Sequence, residues 1–462
     1  MPVCCAQQQL SCILNVQVHP IAAVVRMQCN MKDKSPIIGL VDHPLRYDLS
    51  HELHARPYPT LTAPATAVFL AIKKGDDAAA RDHEVDREHL INLLDRHGAA
   101  HPKPGATTHT ADIGRHQVKW ESHSEFVTYT AYSSGVSNRP FDPAEFEVFP
   151  EDWLADAPGE RLTSALIHID RMKPEEEIAK DVLDLFVNES VAVSRVADET
   201  AVISGDFRID PAGHLRFMIN AAENIGRRRL GRIMPHLCEI ERYKSLSMLG
   251  LARSRDMSPR IGELEQKLNQ LVGNMPGGSV RAEDTLDSLL NISAELESIA
   301  ARSSYRFAAT MAYADLVKQR ISVLREQRFN GRQTFGEFMM RRYEPAIRTV
   351  SSTTERLELM SLRTVRAAEL LRTRVDVERS AQNQELLESM NRRADAQLRL
   401  QRTVEGLSVV AISYYAVSLA SFVVYPLAEP SGLSKDMLTA IIALPVVGLV
   451  WWMVSRIRKS IG

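Results

Sequence analysis

The sequence predicts an α+β protein with three parts: an N-terminal α/β domain, a long helical stalk and a C-terminal hairpin of two transmembrane helices. Three observations predict it. Strand-like runs fill much of residues 60–220, apolar residues recur at helical spacing from about residue 281 onward, and two uncharged apolar runs end the chain. At 462 residues, the chain is long enough for two or three domains, each with its own core.

Composition argues against two classes of protein. The chain has 56 Lys and Arg against 58 Asp and Glu, so it lacks the global basic field that draws proteins onto nucleic acid, and no nucleic-acid partner is expected. Most of the five cysteines lie in the first thirty residues, which is unlike a disulfide framework. Because that stretch also lacks a secretory signal pattern, residues 1–39 are interpreted as a disordered or mis-called extension, with Met31 as the more natural start.

Residues 40–221 are predicted to form one cytoplasmic α/β domain. "ATAVFLAIKK" predicts a strand and "RDHEVDREHLINLLDRHGA" a helix, and three strand-like runs follow. The same order repeats from "LTSALIHID" through the helical "PEEEIAKDVLDLFVNES" to three more strands. We therefore expect two β-α-β-β-β units, which a duplication would explain.

Helical signals dominate the middle of the chain. Two shorter helices, at 222–253 and 259–273, are expected as a connector over 222–273, followed by the linker "GNMPGGS". A long helix is expected from about 281 to Phe329, with Asn330–Gly331 as its C-terminal cap.

One continuous helix is expected from Pro345 to Pro426, because Gly406 is the only glycine between these prolines. With the preceding helix it makes up the stalk region, 280–405. Its apolar seam turns polar through "DVERSAQNQE", as at coiled-coil positions that specify register, so self-association through the stalk is one interpretation. Packing of the helix on its own domain is the other.

Two transmembrane helices are predicted over 406–455. Residues 406–428 contain no charged side chain and, at about 1.5 Å per residue, cover the roughly 30 Å hydrocarbon core of a bilayer. A second uncharged run covers 437–455, and its Trp451 and Trp452 suit the membrane interface. The alternative is a buried core hairpin of a soluble protein.

The flanking charges predict the orientation of this hairpin. Basic residues flank both runs: Arg392, Arg393, Arg399 and Arg402 before the first, and Arg456, Arg458 and Lys459 after the second. Because positive charge collects on the cytoplasmic side, a multi-pass protein of the inner membrane is expected, with both termini and the basic tail 456–462 in the cytoplasm.

Common catalytic motifs for nucleotides, hydrolysis and zinc are absent from the sequence, and no cofactor is identified. His43, His51 and His54 lie close enough along the chain to hold a metal ion, although histidine is also common in turns and on surfaces. Four arginines follow the last predicted strand and suit a phosphate or an anionic lipid headgroup, or a solvated helix start: Arg227, Arg228, Arg229 and Arg232.

Acidic residues also gather between 198 and 210. Asp198, Glu199, Asp206 and Asp210 lie near two arginines and are expected either to bind a cation or to pair across neighbouring strands.

Four segments carry a resemblance to a known family: "HELHARP", "SRVADETAVISGDFRID", "GRQTFGEFMMRRYEPAIRT" and "LLRTRVDVERSAQNQELLESMNRRADAQLRLQRTVEGLSVVAISYY". Together they resemble proteobacterial membrane-anchored proteins of unknown function, over about 40–455. The resemblance implies an inner-membrane location and no assigned reaction. The layout is also similar to that of CorA-type divalent cation channels, but the Gly-Met-Asn motif of that family is missing where the first span ends, at "FVVYPLAEPSG".

Three functions are compatible with these features. The first is a membrane-anchored homo-oligomeric sensor or scaffold, which couples the α/β domain to the inner membrane through a continuous helix. The second is a divergent CorA-like divalent cation channel or transporter. The third is a membrane-tethered, metal-dependent enzyme. The lipid bilayer and further copies of the chain are the expected partners.

Overall fold

The computed structural model of the chain describes residues 42–52, 58–75, 82–275, 281–428 and 434–461. The predicted extension 1–39 lies outside them. The chain divides into two compact units. The sheet unit comprises residues up to Leu246 together with Ala314–Tyr343, and the helical unit comprises Ser247–Tyr313 and Glu344 onward. The α+β class expected from the sequence is confirmed.

The described strands of the sheet unit form one mixed sheet. They are β1 (Ala65–Lys73), β2 (Thr108–Ile113), β3 (His116–Ser122), β4 (Phe126–Ser134), β5 (Glu160–Arg171), β6 (Ala192–Val196), β7 (Ala201–Gly205), β8 (Leu215–Ala221) and β9 (Gln327–Arg328). Their order across the sheet is β2-β3-β4-β1-β5-β8-β7-β6-β9.

The helices of this unit lie between and after the strands. They are α1 (Arg46–Glu52), α2 (His83–Asp95), α3 (Glu151–Ala155), α4 (Glu175–Leu185), the first part of α5 (Arg227–Asn274), the end of α6 (Ala282–Leu324) and α7 (Phe335–Arg342).

The expected β-α-β-β-β order occurs twice, but the two halves differ in strand direction. In each half, the first strand lies beside the last, giving β1-β4-β3-β2 and β5-β8-β7-β6. β1 runs antiparallel to β4, whereas β5 runs parallel to β8. As a consequence, α2 joins two antiparallel strands and α4 joins two parallel ones. The halves therefore share an order of elements without being equivalent copies.

The two faces of the outer strands differ in polarity. On one face, Val118, Trp120 and Tyr129 are buried in a core that includes Leu90 of α2 and Trp153 of α3. A strand points successive side chains to opposite faces, and the residues of opposite parity on β3 and β4 are mostly polar, among them Lys119, Glu121 and Thr130. This polar face carries the pocket described below.

The segment after α6 completes the sheet. α6 ends at Leu324, earlier than the expected end at Phe329, because Gln327 and Arg328 pair with β6 instead of continuing the helix. The carboxylate of Glu326 accepts hydrogen bonds from the hydroxyl of Ser194 at 2.7 Å and from the amide of Gly336 at 2.8 Å. It thus satisfies a donor at the start of α7 that has no partner within the helix.

The helical unit is built from α5, α6, α8 (Glu344–Ala428) and α9 (Lys435–Ile461). The prediction of two helices at 222–253 and 259–273 was wrong, because α5 runs through Pro259 without a break. A proline inside a helix loses one hydrogen bond and clashes with the preceding turn. Here Met257 and Ile261, on either side of Pro259, are both buried in the core of the unit, and that packing opposes a break.

The expectation of a single helix from Pro345 to Pro426 is confirmed by α8. Its first part packs in the core of the helical unit, where Val350, Leu357 and Met360 are buried. From Val377 to Val404 its apolar side chains are largely exposed. α8 and α9 pack against each other, and each contains a stretch that is long and apolar enough to cross a membrane.

Candidate functional site

A pocket of about 210 Å³ lies on the polar face of the sheet unit. Its floor is formed by side chains of β1, β3 and β4, one wall by the first part of α5, and another side by Arg320 of α6. Tyr58 and Pro59 complete the lining.

The alternation of side chains along β3 explains why the floor of the pocket is charged. Lys119 and Glu121 point away from the face that buries Val118 and Trp120, and the register places Lys119 opposite Thr130 of β4. Two oppositely charged side chains are thereby held side by side, with Lys119 Nζ 3.0 Å from Glu121 Oε1.

The α5 wall follows from helical spacing. Cys238, Glu239 and Arg242 all line the pocket, and residues three and four apart lie on one face of a helix. Arg242 and Cys238 are buried, each with only 4% of its surface exposed. The wall therefore presents the acidic Glu239, which is partly exposed, beside the basic Arg242, which is largely removed from water.

Gly231 allows the segment with Tyr58 to approach α5 closely. A Cβ atom at residue 231 would lie 1.7 Å from the carbonyl oxygen of Pro59, so no side chain fits between helix and segment. The amide of Leu61 donates to the carbonyl of Arg227 at 3.2 Å, which ties the same segment to the start of α5. Tyr58 is held at the pocket in this way and meets His236 edge to face, with ring centroids 5.7 Å apart.

The charged side chains of the pocket form a network. Glu239 Oε2 lies 2.5 Å from Arg320 Nε and 3.1 Å from His236 Nδ1. Burial raises the pKa of the Glu239 carboxyl, but the hydrogen bond with His236 and the charges of Arg242 and Arg320 outweigh it, so the pKa lies below its usual value. Glu239 is therefore ionised at neutral pH.

Among these charged side chains, Arg242 has the most distant partner of opposite charge. Its Nη1 lies 3.1 Å from His123 Nε2, and its Nη2 donates to the Tyr243 hydroxyl at 2.9 Å. The nearest carboxylate oxygen given for it, on Glu121, is 3.9 Å away. A guanidinium cannot accept, so His123 Nε2 must be the acceptor and the ring is neutral.

The pocket is better suited to binding than to nucleophilic catalysis. Burial raises the pKa of the Cys238 thiol, so its reactive thiolate form is disfavoured. Burial and the charge of Glu239 raise the pKa of Tyr58, and burial raises that of Tyr132 to about 12. These tyrosines remain protonated at neutral pH and serve as hydrogen-bond donors.

A family model described as "Protein of unknown function (DUF3422)" matches residues 41–461, which include the pocket and the main elements of both units. The chain belongs to the DUF3422 family. The expected resemblance to a family without an assigned reaction is thereby confirmed. Neither the curated proteins nor the solved structures contain a match to the chain.

The histidines predicted as metal ligands fall at the edge of what is described for this DUF3422 protein. His43 is exposed in the turn before α1, where its Nδ1 accepts from the amide of Leu45 at 3.2 Å. His51 lies in α1, and His54 lies outside the described residues. Within the described ranges, no group of three or more His, Cys, Asp or Glu side chains could hold a metal ion. The metal site remains a prediction.

The four arginines predicted to bind a phosphate or an anionic lipid lie at the start of α5, and all are exposed: Arg227, Arg228, Arg229 and Arg232. Arg229 lies 3.5 Å from Asp198. Positive side chains at a helix N-terminus are unfavourable with respect to the helix dipole, so a bound anion would relieve their repulsion. Anion binding at these arginines remains a prediction.

Three of the four acidic residues predicted between 198 and 210 make separate local contacts. Asp206 is fully buried and lies 3.0 Å from Arg216, and Asp210 accepts from the amide of His214 at 2.8 Å. Together with the pair of Asp198 and Arg229, these contacts support the pairing interpretation over a shared cation site.

The predicted interface residues lie near the end of α9. Trp451 and Trp452 are exposed, and the Arg456 guanidinium lies 5.3 Å from the centre of the Trp452 ring. Arg458 and Lys459 follow in the same helix.

Sequence reasoning missed the pocket, although one of its signals is readable. In "HQVKWES", the apolar Val118 and Trp120 alternate with the charged Lys119 and Glu121, which predicts a strand with a polar face. That a turn of α5 and the end of α6 cover this face depends on contacts between residues far apart in the chain.

Proposed function

We propose that this DUF3422 protein is a membrane-anchored sensor or scaffold that assembles as a homo-oligomer. The ends of α8 and α9 cross the inner membrane, and the sheet unit lies in the cytoplasm, where its pocket receives a ligand. The exposure of the apolar helix ends is the observation that carries this proposal.

Both candidate spans are apolar and lack a protein core around them. The most apolar 18-residue window in Phe335–Val424 has a mean hydropathy of 2.0, and 6% of it is buried. The corresponding window in Asp436–Ile457 has a mean hydropathy of 2.2, and 11% of it is buried. A core helix of a soluble protein would be mostly buried, because exposed apolar surface costs about 25 cal/mol per Å². Lipid is the cover that this composition and length favour.

The flanking charges support the proposed orientation. Basic residues precede the first span and follow the second: Arg392, Arg393, Arg399, Arg402, Arg456, Arg458 and Lys459. The sequence between the two apolar runs carries Glu429, Lys435 and Asp436 and has no such excess. Positive-inside bias thus favours a hairpin with both ends in the cytoplasm.

α8 supports coupling between the bundle and the bilayer. It continues from buried Val350 and Met360, through Gly406, into the first span without a break. A continuous helix transmits displacement along its axis, whereas a flexible Gly/Ser linker does not. A change in the packing of the bundle would therefore move the span.

The exposed middle of α8 supports self-association. Leu387, Met390 and Leu398 are each more than half exposed, and no described segment packs over them. Isolated helices are marginally stable in water, so a partner helix would stabilise this one. The same helix from a second copy is the proposed partner, because neighbouring anchors in one membrane place equivalent segments side by side.

Alkaline carbonate extraction of membranes tests the anchor. We expect the native protein to stay in the pellet. The double substitution Leu419→Arg and Phe422→Arg should release it or block its insertion, because each arginine at a span centre costs about 2.5–3.5 kcal/mol. The matched control, Leu398→Arg with Leu400→Arg, makes the same chemical change outside the span and should stay in the pellet. Release of the native protein by carbonate would refute the anchor.

The channel alternative predicts the same membrane anchor. Ion flux distinguishes a channel from a sensor or scaffold. A groove on the first span is lined mainly by apolar side chains, with Tyr415 and Ser418 as its polar members, which favours helix packing over ion conduction. Uptake of Mg²⁺, Co²⁺ or Zn²⁺ by proteoliposomes above that of empty vesicles would support the channel instead.

A further inference from the structure

Arg242 is a buried cation whose hydrogen-bond partners are neutral. Only 4% of its surface is exposed, its Nη atoms meet the His123 ring and the Tyr243 hydroxyl, and its Nε has no hydrogen-bond partner among the described residues. The nearest carboxylate oxygen given for it, on Glu121, lies 3.9 Å from Nη1, beyond hydrogen-bond distance, and a buried charge that no anion contacts directly is costly. An anion beside this guanidinium would offset that cost.

The two carboxylates of the pocket already have closer cationic partners. Glu121 lies 3.0 Å from Lys119, and Glu239 lies 2.5 Å from Arg320. Lys119, Arg242 and Arg320 contribute three positive charges against the two negative charges of Glu121 and Glu239, so the lining carries a net charge of +1. One negative charge balances the pocket.

Size and lining restrict the ligand further. The cavity of about 210 Å³ is smaller than the roughly 300–1,000 Å³ pockets that hold drug-sized molecules. Phe69 and Met234 line it beside the charged groups and offer apolar contact. A compact molecule with one charged end and a short apolar body matches this lining.

We propose that the pocket binds a small monocarboxylate, with its carboxylate on the Arg242 guanidinium. Arginine and carboxylate match in geometry, because the planar guanidinium offers parallel N–H donors to both oxygens. The protonated hydroxyl of Tyr58 supplies a further donor at the pocket. This ligand class goes beyond the membrane anchor and does not depend on it.

Charge balance separates a monocarboxylate from other small anions. Phosphate or a dicarboxylate brings up to two negative charges, which exceeds the +1 of the lining and places the excess near Glu121 and Glu239. A neutral amide of the same shape leaves the charge of Arg242 uncompensated.

Saturation-transfer NMR on the full-length protein in detergent tests the proposal with three probes: butyrate, butyramide and phosphate. We expect saturable binding of butyrate, at least tenfold weaker binding of butyramide, and no displacement of butyrate by equimolar phosphate. Absence of butyrate binding, or equal binding of butyrate and butyramide, would overturn the proposal. Displacement of butyrate by phosphate would replace the monocarboxylate with a phosphate ligand.

Two substitutions locate the binding. Arg242→Gln removes the anchoring charge and should weaken butyrate binding about tenfold or more, as loss of a charged hydrogen bond does. Lys119→Gln, in the floor of the pocket, lowers the net charge of the lining to zero and should weaken butyrate binding as well. Because the Lys119 side chain is less buried than that of Arg242, this variant replaces Arg242→Gln if the latter does not fold. Arg253→Gln, on the same helix outside the pocket, should bind like the native protein. Native-like binding by folded Arg242→Gln, or by Lys119→Gln in its place, would place butyrate elsewhere and overturn the assignment.

Discussion

Gly231 acts through the absence of a side chain. A Cβ atom there would lie 1.7 Å from the carbonyl oxygen of Pro59, and this contact is to backbone that cannot rotate away. We expect Gly231→Ala to lower the free energy of unfolding of the sheet unit by about 1–3 kcal/mol, as overpacking does, and to displace Tyr58 from the pocket. Thermal denaturation measures the first effect, and tyrosine fluorescence near the pocket reports the second.

Gly262 provides the control for this substitution. It lies within α5, where the nearest atom to an added Cβ, Arg356 Nη2, is 3.9 Å away. Gly262→Ala should therefore stabilise the protein by roughly 0.5–1 kcal/mol, because alanine favours a helix over glycine. Equal stability of the two alanine variants would contradict the close approach at Gly231.

Three buried histidines make the sheet unit sensitive to acid. Burial lowers the pKa of His89, His168 and His214 below the ordinary value of 6.5. His89 is held as a neutral ring between the Tyr129 hydroxyl at 3.0 Å and the carbonyl of Trp153 at 2.9 Å. Because the unfolded chain takes up these protons more readily, stability is full above about pH 6.5 and falls as the pH drops below it.

Replacing His168 tests this pH dependence. His168→Leu removes one of the three groups, so stability should fall less steeply below pH 6.5, by up to about 1.4 kcal/mol per pH unit. Denaturant titrations between pH 5 and 8 measure the difference from the native protein, using roughly one-unit steps. His97→Gln, a change at an exposed histidine, should leave the native slope. Identical slopes for His168→Leu and the native protein would rule out the role of His168.

The elements could be read from the sequence more reliably than their connections. The β-α-β-β-β order is visible because alternation and helical spacing are local patterns. The opposite pairings of β1 with β4 and of β5 with β8 are invisible locally, since both pairs join residues far apart in the chain. At Pro259 the local signal was misleading. Proline favours a break in the helix, but the packing of Met257 and Ile261 outweighs that tendency.

The exposed middle of α8 predicts a specific oligomer face. Leu387, Met390 and Leu398 are separated by three and eight residues, which places them on one side of the helix. Replacing all three with Gln should raise the dissociation constant of the oligomer at least tenfold, because each apolar side chain buried in an interface contributes about 1.5 kcal/mol or more. Native mass measurement in detergent determines the oligomeric state.

The control for this face uses the same chemistry on another side of α8. Leu400 is also exposed, 65%, but it follows Leu398 by two residues and Leu387 by thirteen, a spacing that turns it to another side of the helix. Leu400→Gln should keep the native mass. A monomeric native protein, or equal loss of assembly in both variants, would exclude the proposed face.

The division into two units predicts what a shortened chain retains. The sheet unit contains no residue after Tyr343, so a chain ending at residue 405 should keep the pocket while losing both proposed spans. We expect this shortened chain to leave the membrane fraction without detergent. The melting temperature of its sheet unit should lie within about 2–4 °C of that in the full-length protein, which is the shift that 1 kcal/mol produces in a domain of this size. A chain ending at 455 keeps both spans and should remain in the pellet. Retention of the shorter chain in the pellet would show a second membrane contact.

Segment 314–343 explains why the pocket and the unit boundaries escaped prediction. The sequence division ended the first domain at 221 and assigned 280–405 to the stalk, whereas the sheet unit takes in Ala314–Tyr343. Ser194 pairs with Arg328, and Arg320 reaches Glu239 in the pocket. Neither pairing leaves a signal within a short window, because their partners lie more than seventy residues away.

The pairing of β9 with β6 has a consequence for synthesis of the protein. β6 is complete once Val196 is made, but Gln327 and Arg328 follow about 130 residues later. At roughly 5–20 residues per second, translation leaves this strand edge uncovered for about 7–26 s. Exposed edges invite pairing with other chains. The nascent protein therefore passes through a period in which chaperones have a defined target, and faster translation of the intervening helices would shorten it.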